Sequence, residues 1–500
     1  MALQVKIDPI TRIEGHLAIH LSIKGTSVEH AECVGEMFRG FEIILKGRDP
    51  LDAQQITQRI CGVCPVSHGI ASVLAQDKAY GIMPTDNGRL MRNIILASNF
   101  LQSHIVHFYQ LSALDFVDIT AILNYNGKDS DLVQLKRWVN QELKSKKLFP
   151  AAPFLPRYEG DYLKSISSIK NYMTALEIRQ QAHQCGAVFG GKMPHAASLI
   201  PGGVTEKISS KKIVQSFSLL KNIKSFIDNA YTDDIIAVAQ HFPDYFRAGK
   251  GPGNFLCYGA FQETNDDSKK LFPSGVIIGG ELQEFNVDNI TEDIKYSYYS
   301  SQSGLKPLDG ETTPQPDKDG AYSWLKAPRY KGAAMEVGPL SRVMVSYMKK
   351  DNVALNQLVD QMLHTLNLAP SDLVSVLGRH AARLIECKII ADRCLEWIDM
   401  LDPSKPVCTD FTIPNKGSGI GLTEAPRGAL GHFLVLNNRK IQSYQCVVPT
   451  TWNCSPRDNR GTPGPVEQAL VGTEIKDSEN PIEATRIVRS FDPCIACAVH

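Results

Sequence analysis

The chain alternates between segments with a strand-like and a helix-like hydrophobic pattern. Near the N-terminus every second residue is apolar, at Leu17, Ile19, Leu21 and Ile23, and the pattern stops at Gly25. This period of two predicts a strand, and the alternating residues that open the sequence predict a partner for it in a hairpin.

Longer segments carry the period of a helix. Apolar residues recur at steps of three and four at Leu90, Ile94, Ala97, Leu101, Ile105 and Phe108. Similar patterns predict three more helices: from Ile166 to Gly190-Gly191, from Lys211 to Phe242, and from an N-cap at Ser371 through Cys387 to about Met400.

Between these helices the pattern breaks. Residues 249–329 are rich in Gly, Pro, Asp and Tyr with short strand-like runs, and alternation returns from Gly428 to Pro449. We therefore predict a mainly α fold with peripheral β structure (α+β), a core of long helices and small β regions towards both ends.

We expect one intertwined domain over residues 1–500 rather than separable units. Its parts are a β-rich segment at 1–85, a helical segment at 86–248, loops and small β elements at 249–330, and helices with β structure at 331–500.

Composition excludes several classes of function. The 500 residues are 43% hydrophobic, enough for a large core, and 53 basic residues balance 53 acidic ones. Without a basic field we expect no nucleic-acid partner. No apolar run reaches the roughly 18 residues of a membrane span, and the N-terminus lacks the apolar core of a secretory signal. Taken alone, these features predict a soluble protein made in the cytoplasm.

Two CxxC pairs at opposite ends of the chain carry the candidate chemistry. Cys61 and Cys64 form the first pair, and Cys494 and Cys497 form the second. Each spacing places two sulfurs on one turn, and four thiolates suit zinc, iron–sulfur or nickel. The other cysteines are expected to be small buried hydrophobes outside any disulfide: Cys33, Cys185, Cys257, Cys387, Cys394, Cys408, Cys446 and Cys454.

A closed structural zinc site is one interpretation of the four thiolates. However, zinc knuckles staple short stretches of chain, whereas this separation requires the whole fold as its scaffold. Four chemical neighbours also accompany the cysteines without being needed by a closed site: Arg59, His68, Asp492 and His500. His68 follows Cys64 by four residues and is placed to hydrogen-bond a ligating sulfur.

Several further motifs occur in a fixed order along the chain. They are Arg12-Ile13-Glu14-Gly15-His16, Phe38-Arg39-Gly40-Phe41-Glu42, Met335-Glu336-Val337-Gly338-Pro339, Glu424-Ala425-Pro426-Arg427-Gly428 and Val447-Val448-Pro449-Thr450-Thr451-Trp452-Asn453. Together with the two cysteine motifs, they resemble the large subunit of nickel–iron hydrogenases over essentially the full length.

This resemblance implies roles for the cysteines and their neighbours. Cys61 and Cys494 would be terminal nickel ligands, and Cys64 and Cys497 would bridge nickel to an iron that carries carbon monoxide and cyanide. The groups expected to hold the cyanides and line the centre are Arg427, Pro426 through its backbone, Thr450, His68 and Asp492.

The implied reaction is reversible oxidation of H2 to protons and electrons. Cleavage needs a Lewis acid and a nearby base, and a metal-bound thiolate with a lowered pKa provides such a base. Cys494 is the candidate, with Glu14 as the carboxylate that relays the proton outward. Arg427 is an alternative base, and the sequence leaves both open.

A second metal site is implied near the C-terminus. Glu42 and His500 resemble ligands of magnesium or another divalent ion, with the carbonyl of Cys446 completing the set. The end at His500 also matches the family's mature form after removal of a C-terminal extension.

One departure points to a branch of the family. Ser103 stands where many members have aspartate, and with the segment Met37–Glu42 it resembles the selenium-containing branch, which carries selenocysteine where this chain has Cys494.

Electrons must leave through a partner, because no cluster-binding cysteine pattern remains. The resemblance implies an iron–sulfur small subunit, with His195 facing its nearest cluster, and an electron carrier such as a cytochrome beyond it. It also implies a periplasmic or membrane-associated location through the small subunit, with the cytoplasm remaining open. A non-catalytic respiratory-complex subunit of the same ancestral fold is a further alternative, but such relatives lack the four cysteines.

Overall fold

The computed structural model describes residues 2–145 and 160–500. Its helices are α1 (Phe41–Leu45), α2 (Pro50–Gln58), α3 (Pro65–Tyr80), α4 (Asp86–Val106), α5 (Ser130–Ser145), α6 (Ile166–Gly190), α7 (Ser210–Phe226), α8 (Thr232–His241), α9 (Pro339–Lys349), α10 (Val353–Leu366), α11 (Val376–Asp399), α12 (Pro449–Asn453), α13 (Pro465–Leu470), α14 (Ile482–Ser490) and α15 (Ile495–Ala498).

Short strands flank the helices. They are β1 (Leu3–Ile7), β2 (Leu17–Lys24), β3 (Ser27–Gly35), β4 (Leu199–Ile200), β5 (Gly203–Val204), β6 (Phe255–Cys257), β7 (Ala260–Gln262), β8 (Lys270–Phe272), β9 (Gly275–Ile278), β10 (Glu281–Gln283), β11 (Ile290–Asp293), β12 (Ala327–Tyr330), β13 (Lys416–Ala425), β14 (Gly428–Asn437) and β15 (Lys440–Val447). The predicted α+β class is confirmed.

Long helices form the centre of the core. α4 packs against α6 and α11, and α7 packs against α6 and α11 on the other side. α4 is buried along almost its whole length because α3, α6 and α11 pack against it. The helices predicted from Leu90, Ile166 and Lys211 are all present, the last as α7 and α8 joined by a π-helical turn.

The helix predicted to begin at Ser371 begins later. Ser371 lies in a short 3₁₀ turn, and Ser375 is the N-cap of α11, accepting a hydrogen bond from the Gly378 N–H. The sequence offers two serines four residues apart, and Pro370 favours a tight turn at the first of them. The prediction of Ser371 as N-cap was therefore wrong.

Antiparallel sheets lie at the two ends of the chain. β1 and β2 pair with Leu3 opposite Ile23, which confirms the predicted hairpin partner, and β3 completes the sheet. The C-terminal sheet has three strands in the order β13-β14-β15. It packs on α3 so closely that a Cβ on Gly419 would lie 2.0 Å from the Ala75 carbonyl oxygen.

The architecture places the candidate site at the centre. α3 starts at the first cysteine pair, and the short α15 carries the second. Among the described residues, none of the helices combines the length and apolarity that crossing a bilayer requires. The single-domain organisation over 1–500 stays a prediction, and residues 146–159 of its helical part lie outside the described residues.

Candidate metal centre

The four cysteines of the two CxxC pairs meet in one buried cluster. Cys64 is the N-cap of α3 and Cys494 the N-cap of α15, so both pairs sit at the start of a helix. The Sγ atoms of Cys61 and Cys494 are 3.3 Å apart, those of Cys64 and Cys497 are 3.2 Å apart, and those of Cys494 and Cys497 are 2.8 Å apart. Each sulfur of the first pair thus faces one from the second.

This geometry fits a soft metal. The four thiols are free and buried, and their separations are well beyond the ~2.05 Å of a disulfide. All four sulfurs lie within 4.8 Å of one another, and thiolates are the donors that nickel and iron prefer. The residues present therefore fit a nickel–iron group.

The thiols do not share their charge equally. Hydrogen bonds from Cys494 and the other cysteines hold the pKa of Cys61 well below its usual value. Burial raises the pKa of Cys494 and of Cys497. Bringing several thiolates together in a buried site costs free energy, and a bound metal would displace the thiol protons and offset the negative charge of all four sulfurs.

The ends of the chain are held together by backbone hydrogen bonds around Glu14. The Ile495 N–H donates to the Glu14 carbonyl at 2.8 Å, and the Glu14 N–H donates to the Pro493 carbonyl at 3.3 Å. The Glu14 side chain contacts the same C-terminal segment. Its Oε2 accepts from the Ala496 N–H at 2.9 Å and lies 3.1 Å from Cys494 Sγ. Burial raises the pKa of Glu14, and the charge on Cys61 adds to the shift.

Arg427 lies on the other side of Cys494. Its guanidinium donates to the Asp492 carbonyl and to the Asp492 carboxylate, both at 2.8 Å. Its Nη1 lies 3.5 Å from the Ser103 hydroxyl. Burial lowers the pKa of Arg427, but Asp492 and the cysteine sulfurs outweigh it and raise that pKa well above its usual value. Asp492 takes the left-handed backbone conformation (φ 57°) beside the second pair.

The remaining predicted residues lie at different distances from the sulfurs. Thr450 accepts a hydrogen bond from the Cys494 N–H at 2.9 Å. His68 Nε2 lies 3.5 Å from Cys497 Sγ. The carbonyl of Pro426 accepts from Arg342 at 2.9 Å. His195 is half-buried, and its electrostatic neighbours include Arg59 and Lys192.

A second donor cluster contains Glu42, Cys446 and His500. Glu42 Oε1 accepts from the Cys446 N–H at 2.7 Å and lies 3.2 Å from His500 Nε2. These side chains are buried and close enough to share an ion. Burial alone would raise the pKa of Glu42, but Lys326 and His500 lower it to about 2.

Three functional neighbours were missed from the sequence. The Arg39 guanidinium donates to the carbonyls of Arg59, Ile60 and Ala496, so it ties the two cysteine motifs together. Lys326 Nζ lies 3.5 Å from Glu42 and 3.6 Å from Glu292. Arg39 belongs to the Phe38–Glu42 motif, which was a usable signal. Lys326 and Glu292 lie in an irregular region whose sequence contains no comparable motif.

Comparisons with known proteins agree with this geometry. A family model described as nickel-dependent hydrogenase matches residues 39–500, and a HoxL-like model matches residues 4–27. The chain is 40% identical to the periplasmic NiFeSe hydrogenase large subunit of Desulfomicrobium baculatum, over 99% of this chain and 95% of that protein. It is 36% identical to the hydrogenase-2 large chain of Escherichia coli, over 100% of this chain and 97% of that one.

Solved structures give the same result. The NiFeSe hydrogenase of Dm. baculatum superposes with a TM-score of 0.88 at 39% identity, covering 100% of both chains. The as-isolated oxidised enzyme of D. vulgaris Hildenborough superposes with a TM-score of 0.88 at 38% identity, again over 100% of both chains. Identity at this level over the full length is decisive, and the chain belongs to the nickel-dependent hydrogenases as a large subunit.

Proposed function

We propose that this chain cleaves H2 heterolytically and reversibly at a nickel–iron centre held by its four clustered cysteines. The observation that carries the proposal is the cross-pairing of sulfurs, Cys61 with Cys494 and Cys64 with Cys497, at 3.3 and 3.2 Å. Such pairing gives a metal two donors from each end of the chain.

The proposed ligand roles follow the family. Cys61 and Cys494 would hold nickel, and Cys64 and Cys497 would hold nickel together with an iron that has carbon monoxide and cyanide ligands. Arg427, Pro426 and Thr450 are proposed to receive the cyanides. Their support is position: Thr450 accepts from the Cys494 N–H, and Arg427, next to Pro426 in the chain, donates to Asp492, two residues before Cys494. A fixed guanidinium fork suits a buried anionic ligand.

Proton transfer is assigned to the protein. When bound, the metal pair supplies the Lewis acidity and accepts the electrons. Cys494 Sγ lies 3.1 Å from Glu14 Oε2, so a proton received on this sulfur has a carboxylate oxygen within hydrogen-bonding distance. Glu14 is half-buried, and its raised pKa favours its holding that proton. Arg427 is the less suitable base, because its own pKa is raised.

Electrons require a partner. In the described part of the chain, the only other metal-donor group besides the four cysteines is Glu42, Cys446 and His500, which suits a redox-inactive ion. We propose an iron–sulfur small subunit, with half-buried His195 facing its nearest cluster, and an electron carrier such as a cytochrome beyond it. A periplasmic location is proposed by analogy with the periplasmic relative.

We propose magnesium, or another divalent ion, at the second cluster. The supporting observations are the Glu42 carboxylate beside His500 Nε2 at 3.2 Å and the Cys446 side chain within 4.8 Å of both, while the Cys446 N–H donates to Glu42. A carboxylate and a carbonyl are ordinary oxygen ligands for such an ion.

Elemental analysis with infrared spectroscopy tests the centre. We expect nickel and iron in the purified enzyme and bands from metal-bound carbon monoxide and cyanide. Zinc without nickel would establish the structural zinc interpretation instead, and a protein without nickel or catalytic activity would match the non-catalytic respiratory subunit.

A Glu14→Gln variant tests the proton path. The amide cannot accept and release the proton, so we expect H/D exchange with solvent to fall by at least about 10²-fold while nickel content is unchanged. Glu29→Gln, which alters an exposed surface pair with Lys24, is the matched control. Wild-type exchange in Glu14→Gln would remove Glu14 from the path.

A further inference from the structure

Four polar side chains form a stripe along α3. His68, Ser72, Gln76 and Tyr80 recur at every fourth position, so they lie on one face of the helix. That face packs against β13 and β14. His68, Ser72 and Gln76 are buried and Tyr80 is half-buried, with its ring stacked on Phe411 at 5.6 Å between centroids.

Two residues of the C-terminal sheet form a hydrogen-bonded chain with the inner end of this stripe. His68 Nδ1 lies 3.1 Å from His432 Nε2, and His432 Nδ1 lies 2.8 Å from the Tyr444 hydroxyl. The sulfur of Cys497 ends the chain, 3.5 Å from His68 Nε2.

The outer bonds of the stripe have a fixed direction. The Tyr80 hydroxyl donates to Gln76 Oε1 at 3.2 Å, because a carbonyl oxygen only accepts. Gln76 Nε2 donates to the Ser72 hydroxyl at 3.3 Å, because an amide nitrogen only donates. At the inner end, the side-chain partner that the described residues give the Tyr444 hydroxyl is His432 Nδ1, so its proton goes to that nitrogen.

The opposite direction is costly. If His432 carried its proton on Nδ1, the buried Tyr444 hydroxyl would lose its acceptor at that position, and an unmade buried hydrogen bond costs about 1–3 kcal/mol. The two rings are buried and meet nitrogen to nitrogen, so one of the facing nitrogens donates and the other accepts. A neutral imidazole has one donor and one acceptor nitrogen, which is what this arrangement requires of both rings.

We propose that His432 and Tyr444 are positioning residues that fix the tautomer of His68, so that its Nε2–H points at the Cys497 sulfur. The polarised chain runs from Tyr444 through His432 and His68 to Cys497. This inference rests on the proposed function, in which Cys497 is a metal ligand. A hydrogen bond to a ligating thiolate withdraws charge from it and makes the metal easier to reduce.

Redox titration of the holoenzyme, followed by the nickel electron paramagnetic resonance signal, tests the tautomer lock. Tyr444→Phe keeps the ring but removes the proton that His432 Nδ1 accepts. We expect the nickel midpoint potential to shift to a lower value and the signal to change shape. Tyr80→Phe makes the same chemical change at the outer end of the stripe on α3. It is expected to leave the midpoint potential and the shape of the signal unchanged.

Two variants at His432 allow the same test even if the Tyr444→Phe variant does not fold. His432→Gln can accept from Tyr444 with its oxygen and donate to His68 with its nitrogen, so it should keep the wild-type potential. His432→Leu breaks the chain and should shift the potential downward.

Each outcome has one meaning. Wild-type potentials in both Tyr444→Phe and His432→Leu would overturn the tautomer lock, and so would equal shifts in Tyr444→Phe and Tyr80→Phe. Absence of nickel from the wild-type protein would overturn the proposed function instead, so the two failures are distinguishable.

Discussion

Two buried donor clusters lie within reach of the C-terminal residues, and they differ in how their charge is balanced. Among the residues that the structure describes, no lysine forms a hydrogen bond with the four sulfurs, and the Arg427 guanidinium directs its 2.8 Å hydrogen bonds to Asp492. The Glu42 cluster has Lys326 against it, with Nζ 3.5 Å from Glu42 and 3.0 Å from the Gln445 amide oxygen. The protein therefore balances much of the charge of the second cluster with an ammonium group close to it, whereas the first has the Arg427 charge nearby and would rely on a metal for the rest.

This difference predicts how each cluster responds to change. A buried charge without a partner costs several kcal/mol, and the cost is removed by protonation, by an ion pair or by a metal. The sulfur cluster is expected to fail completely when one donor is lost. The Glu42 cluster is expected to lower the stability of the fold when its Lys326 ammonium is removed, and added Mg2+ is expected to restore part of that stability.

The largest effect is expected for Cys494→Ser. A hydroxyl is a poor ligand for a soft metal, so nickel should be absent from the purified protein and H2 oxidation should be lost. Cys408→Ser, at a half-buried cysteine outside the CxxC pairs, is the control and should retain both. Nickel bound at the wild-type level in Cys494→Ser would contradict the assignment of this sulfur as a ligand.

A smaller effect is expected when the charge balance of the second cluster is removed. Lys326→Met leaves Glu42 and Glu292 buried without their ammonium partner, which should cost about 3–5 kcal/mol in chelator. Added Mg2+ should restore much of this loss, measured as the midpoint of thermal unfolding.

Lys306→Met removes an ammonium from an exposed pair with Asp288 and controls for loss of a lysine as such. It should cost less than about 1 kcal/mol and show no response to Mg2+. Equal losses in the two variants, or a Lys326→Met protein indifferent to Mg2+, would show that Lys326 does not balance the cluster.

The smallest effect concerns a buried carboxyl that contacts neutral donors only. Glu467 accepts from the Cys33 N–H at 2.9 Å and the Tyr322 hydroxyl at 2.8 Å, and burial raises its pKa to about 7. A raised pKa stabilises the fold fully below the unfolded value of 4.5, and this stabilisation is lost as pH rises through about 7.

Glu467→Gln removes that dependence. The stability of the wild type relative to the variant should fall by up to about 3 kcal/mol between pH 4.5 and pH 8. Thermal unfolding of both proteins across this range measures the difference. A difference that stays constant with pH would show that Glu467 is ionised throughout, as Glu42 is.

The sequence predicted the long elements well because their periodicity reflects burial on one face or all round. It missed β13, where Gly417, Gly419 and Gly421 replace the apolar residues expected of a strand. The structure supplies the reason: these positions face the backbone of α3, and a side chain on Gly421 would meet the Ala71 carbonyl oxygen at 2.0 Å. Close packing of a strand on a helix removes the signal that identifies strands.

The site was predicted unevenly for a related reason. Cysteine spacing and short motifs identify functional residues whose immediate sequence neighbours already indicate their role. Lys326, His432 and Tyr444 act through partners on distant elements, and only the fold brings those partners together. Arg39 is intermediate, since it lies in a motif but contacts both ends of the chain.

The hydrogen bonds that join Glu14 to Pro493 and Ile495 have a consequence for biosynthesis. A ribosome delivers Cys61 and Cys64 early and Cys494 and Cys497 only after the helices that enclose them. In the folded chain all four cysteines are buried, so an ion has to reach them before the segment that follows α14 docks against Glu14.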